Sequence, residues 1–67
     1  MTAAQFEQLT PAEAEGLLRF RLRRFLDAGA DPSGALLLAA QVDIGLEPAL
    51  ELLSQGCPAI LALRILL

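Results

Sequence analysis

Histidine, lysine, tryptophan and tyrosine are absent from this chain of 67 residues, and cysteine occurs once. Without histidine or lysine, carboxylates are the only common acid–base groups left, and the chain reads as no enzyme. A single cysteine cannot close an internal disulfide, and with no histidine a zinc site is nearly excluded. Neither a metal nor a cofactor is expected. Positive charge is also scarce: five basic residues face eight acidic ones, a net charge of −3. Phosphate binding needs a surplus of Lys and Arg, so nucleic acid is not the expected partner. No apolar run approaches the roughly 20 residues that span a bilayer. Met1 is followed by polar residues rather than a basic and then apolar stretch, so no signal peptide is expected. One free cysteine suits a reducing interior, and the expected location is the cytoplasm or a virion.

What the chain has is apolar surface. It is 55% hydrophobic, with a mean hydropathy of +0.55. A domain of this size buries only about 60% of its unfolded surface and is marginal alone. The last ten residues, Pro58 to Leu67, carry one charge, Arg64, and otherwise read apolar on every face of a helix. A small core cannot absorb all of it, so a protein partner or self-assembly is expected to cover the rest.

Helix formers and clear punctuation predict an all-α fold, a compact bundle of about four short helices after an N-terminal arm. Thr10-Pro11-Ala12-Glu13 is a capping box with proline at the first helical position. The first predicted helix runs from Pro11 to about Ala28 and stops at Gly29. Asp31-Pro32 starts the second, which reaches about Gln41. Asp43 or Gly45 opens the third, with Pro48 tolerable only in its first turn, and it ends before Gly56. Cys57-Pro58 opens the fourth. Residues 1–9, with Phe6 and Leu9, are an arm with no assigned structure, and 10–67 form one helical domain.

Periodicity assigns faces. Ala14, Leu18, Leu22, Phe25 and Leu26 make the core face of the first predicted helix. The second buries Ala35, Leu38, Ala39 and Val42 and leaves Leu37 opposite. Leu46, Ala49, Leu50 and Leu53 serve the third, with Glu47, Glu51 and Gln55 outward. In the last helix, Ala59, Ala62, Leu63 and Leu66 form one stripe, and Leu61 and Ile65 form a second on the far side. An echo at a spacing of 27 aligns Phe25–Gly29 and Ala35-Leu36 with Leu52–Gly56 and Ala62-Leu63. Solenoid modules look like this, although two copies fall below the usual three.

Four of the five arginines, Arg19, Arg21, Arg23 and Arg24, fall within six residues. Phe20 lies opposite the predicted core face, and Arg23 and Arg24 flank it. Two arrangements fit. One is a docking patch, because arginine and aromatics are enriched at hot spots. The other is a solvated face, with the arginines paired to Asp27 and Glu13 and Phe20 folded under the arm beside Phe6. The candidate interface residues are Phe20, Arg23, Arg24, Leu61, Ile65 and Leu67. Cys57 stands at a predicted helix N-terminus, but it lacks a histidine to activate it and reads as a small buried residue at a helix start. Glu13/Glu15 and Glu47/Glu51 read as caps and solvated faces. A helix-turn-helix reading would put Glu47 and Glu51 against phosphate, which is unfavourable.

Two resemblances add to this reading. Phe25-Leu26-Asp27-Ala28-Gly29-Ala30-Asp31-Pro32 resembles the end of an ankyrin repeat, and Leu38-Ala39-Ala40 with Leu46–Leu53 resembles its helix pair. The stretch after the turn is too short for the ankyrin hairpin, and the Thr-Pro-Leu-His motif is missing, so the likeness is a shared helix hairpin. Val42-Asp43-Ile44, Ala49–Leu53, Gly56-Cys57-Pro58 and Ala62–Leu66 are similar to small helical proteins of actinobacteria and their phages. That resemblance implies a structural or accessory role in a virion, as a minor capsid protein for example. The expected function is therefore a structural or interaction subunit of a larger assembly. The alternative is a small regulatory adaptor or a helix-turn-helix-like DNA-associated factor.

Overall fold

Local signals set most of the helix boundaries in the computed structural model, which describes all 67 residues. Five helices form and no strand does: α1 Ala3–Glu7, α2 Pro11–Asp27, α3 Pro32–Ala40, α4 Leu46–Ser54 and α5 Ala59–Leu66. The expected all-α bundle is present. The chain before Thr10 is not without structure, however. Thr2 and Gln5 form a capping box of their own: the Gln5 N–H donates to Thr2 Oγ1 at 3.1 Å, and the Thr2 N–H to Gln5 Oε1 at 2.9 Å. That box opens a five-residue helix, none of whose residues is buried.

The box at α2 is the expected one. Glu13 N–H donates to Thr10 Oγ1 at 3.1 Å, and Thr10 N–H donates to Glu13 Oε1 at 2.9 Å. Hydrogen bonding of the carboxylate to Thr10, first to its backbone N–H and then to its side chain, holds the Glu13 carboxyl below its usual pKa. Asp31 caps α3 by accepting the Gly34 N–H at 3.1 Å. Both α2 and α4 end in a Schellman motif, the six-residue turn that a left-handed glycine allows. The Gly29 N–H donates to Leu26 and the Ala30 N–H to Phe25; 27 residues on, the Gly56 N–H donates to Leu53 and the Cys57 N–H to Leu52. Gly29 (φ 101°) and Gly56 (φ 87°) are the two residues with positive φ. The echo in the sequence is thus the same turn made twice.

The chain forms two hairpins, α2–α3 and α4–α5. α3 packs on α2 and on α5, and α4 packs on α5 and α2. Phe25 and Leu38 are the largest fully buried side chains, and Ala35, Ala39, Ala49, Ala59 and Ala62 fill the narrow spaces between helices. Small residues let the backbones come close. A Cβ placed on Gly34 would stand 2.5 Å from that of Ala59, so the α3–α5 crossing depends on that glycine. The accessible surface is 4350 Å², and a compact chain of 7.1 kDa is expected to expose about 4,100 Å². Apolar side chains left outside are therefore not a consequence of loose packing.

Two sequence expectations are corrected on α2. Leu26 is not a core residue but lies at the edge, 37% exposed. Ala14, Leu18 and Leu22 are only half-buried. Arg21 takes the buried place instead, on the same helical face as Phe25 four residues later.

Candidate functional site

The arginine cluster divides into three fates once α2 is packed. Arg21 turns inward to the C-terminal end of α3. Its Nε donates to the Ala39 carbonyl at 3.1 Å, and its Nη2 donates to Leu38 at 3.1 Å and Gln41 at 3.0 Å. The Ala39 carbonyl has no backbone donor, and Arg21 gives a second donor to the Leu38 and Gln41 carbonyls, which already accept the Gln41 and Ile44 N–H groups, so the cation sits at the negative end of the α3 dipole. The guanidinium also lies 5.4 Å from the Phe25 ring centre. Burial pulls the Arg21 pKa down, and the nearby charge of Asp43 opposes that. Arg21 is thus a structural clamp between α2 and the α3–α4 connection rather than part of a surface patch. Its i−4 relation to Phe25 and i+3 relation to Leu18 was the sequence signal for its inward place.

Arg19 and Arg23 lie on the surface and pair along the helix, Arg19 with Glu15 at 2.9 Å and Arg23 with Asp27 at 3.3 Å. Exposed pairs of this kind contribute little to stability, but they occupy both cations. Arg24 has no carboxylate within ion-pair distance and lies 5.8 Å from the centre of the Phe20 ring. Phe20 is 52% exposed. Of the expected patch, Phe20 and Arg24 therefore stand together, and Arg23 faces Asp27. The pairing expected for Glu13 does not form, because its carboxylate caps α2.

The second expected surface lies on α5. Ala59 and Ala62 are buried and Leu63 and Leu66 half-buried, which places one stripe against the rest of the bundle. Leu61 (46%), Ile65 (55%) and Leu67 (71%) remain exposed, as does Ile60. α3 adds Leu36 and Leu37 to the exposed apolar residues.

Two grooves accompany these faces, and neither was read from the sequence. One, of about 410 Å³, runs between α2 and α3 along Ala14, Leu18, Leu22, Leu36 and Ala39, with the Glu15–Arg19 pair at its rim. The other, of about 270 Å³, lies between α4 and α5. Pro48, Leu52, Ile65 and Leu66 form its apolar part, and Glu51 and Gln55 its polar edge. A groove needs side chains from two helices at once, and periodicity describes one helix at a time.

Cys57 is half-buried, its Sγ 3.5 Å from the Pro58 carbonyl oxygen, at the residue before the α5 N-cap. Glu47 and Glu51 are exposed on α4, where neither carboxylate makes an ion pair. No helix is long and apolar enough to cross a membrane.

Fold and surfaces together define a small all-α domain of two helix hairpins with unpartnered apolar faces. No family model, curated protein or solved structure matches the chain. Both resemblances noted in the sequence therefore rest on the residues that carry them.

Proposed function

We propose that this chain is a non-enzymatic interaction module, a structural or accessory subunit of a larger assembly, that docks through the outer face of α5. The observation that carries the reading is the pair of stripes on that helix: one is core, and the other leaves Leu61 and Ile65 about half exposed. Covering the exposed half of each such side chain contributes roughly 1 kcal/mol, so several together favour a partner. The C-terminal resemblance implies a virion as the assembly, and the proposed location is the cytoplasm or such a particle.

The adaptor alternative would use the same face. Its DNA-binding form is disfavoured by the arginines, since Arg21 is consumed inside and Arg19 and Arg23 are paired. Only Arg24 and Arg64 are left for phosphate, and α4 presents Glu47 and Glu51.

The test is Leu61→Glu in the native host, with the tagged chain followed by size fractionation. The wild type should travel in a high-mass fraction, and the variant should move to low mass while its helical circular dichroism is unchanged. Unfolding of the purified variant would make the outer stripe core and overturn the reading. So would a wild type found only at its own mass.

A further inference from the structure

An exposed aromatic beside an unpaired cation asks for an apolar groove edged by a carboxylate, and this same molecule carries one. Phe20 projects from α2 with Arg24 against its ring. Arg24 is not engaged by any carboxylate of its own chain, whereas Arg19 and Arg23 are. The groove between α4 and α5 has Leu52, Ile65 and Leu66 along it and Glu51 at its edge. Glu51 likewise makes no ion pair within the chain. At about 270 Å³ the groove has room for a phenyl ring.

We propose that copies of this chain associate head to tail, Phe20 of one copy entering the α4–α5 groove of the next, with Arg24 of the first meeting Glu51 of the second. The inference rests on the reading above of the chain as a subunit of an assembly, shares Ile65 with the outer face of α5, and names a second copy as the partner of the groove. Charge complementarity selects that partner: each surface lacks the sign the other supplies. The groove of about 410 Å³ between α2 and α3 offers no such match, because both charges at its rim already satisfy each other. The two surfaces are different patches, so the contact is heterologous and leaves a free knob and a free groove at the ends of any open chain. Such contacts grow into rings or filaments rather than closed two-fold dimers.

The experiment is a charge exchange on the purified full-length chain, read by sedimentation equilibrium over a range of concentrations. The wild-type average mass should rise with concentration above 7.1 kDa. Arg24→Glu and Glu51→Arg should each raise the concentration needed for half-association by roughly tenfold or more, because each sets like charges together. The double variant should associate like the wild type, and so should an equimolar mixture of the two single variants. Phe20→Ala should abolish association with circular dichroism unchanged, and added salt should weaken the wild-type contact. A wild type that stays monomeric, singles with no effect, or a double variant that fails to recover would overturn the inference. The docking reading fails separately, by the Leu61→Glu fractionation in the host, since Leu61 is not part of the groove.

Discussion

The hairpins α2–α3 and α4–α5 share a turn but not the means that hold them. In each, a glycine 27 residues from its counterpart adopts positive φ and ends the leading helix in the same pair of backbone hydrogen bonds. Ala35 in the first and Ala62 in the second occupy matching positions, and both are completely buried. Beyond that the hairpins diverge. α2 and α3 begin on side-chain caps, Thr10 and Asp31, whereas α4 and α5 begin on Gly45 and Pro58, which offer none. Arg21 clamps the end of α3, and the equivalent position on α4 is Pro48, which has no donor. Gly34 is pressed against Ala59, and its equivalent, Leu61, is exposed. The first hairpin is thus specified largely by its own hydrogen bonds. The second is held by laying Ala49, Leu53, Ala59 and Ala62 in the shared core, and its outer face is left to serve as a surface.

Removing the clamp should break this asymmetry most. Arg21→Met leaves the Ala39 carbonyl without a donor and takes the charged second donor from Leu38 and Gln41, an expected loss of about 3 kcal/mol. A chain of this length has only about 3–10 kcal/mol of stability in total, so the urea midpoint should fall by a large fraction. Pro48→Ala at the equivalent position should change it little. Equal effects at the two positions would mean that the clamp does not distinguish the hairpins.

The helix crossing comes next. Gly34→Ala should cost about 1–3 kcal/mol, the range for overpacking, reduced by the better helix propensity of alanine. Leu61→Ala, its counterpart, should stay within about 0.5 kcal/mol in the isolated chain, as surface changes do. A stabilised Gly34→Ala protein in thermal melts would show that α3 and α5 can separate freely.

The smallest effect sharpens what the hairpins share. Gly29→Ala and Gly56→Ala each force alanine into the left-handed region, at about 1–2 kcal/mol. A Cβ meets nothing within 4 Å at either site, so the two losses should match in chemical denaturation. A clear inequality would mean that the turns are alike in geometry alone.

Punctuation was legible because it acts over a few residues. The Thr10–Glu13 box, Asp31-Pro32, Gly29 and Gly56 each form their bonds with partners close in sequence, and they placed α2 to α5 within one or two residues. The Thr2–Gln5 box was just as local, yet so short a helix leaves little periodicity to read. The stripes of α4 and α5 were legible too, since burial follows a period of 3.6 when one side faces the core. Phe20 and Leu61 could be placed on outer faces for the same reason. What could be read from the sequence is therefore α2 to α5, their ends and the two sides of α5. Packing alone settled which carbonyls Arg21 clamps, that Leu26 stays at the edge, and that Leu52, Ile65 and Glu51 share a groove. Arg21 reaches carbonyls 17 to 20 residues away, and the groove joins side chains of two helices. Such neighbours exist only after the hairpins have packed, and no local preference encodes them.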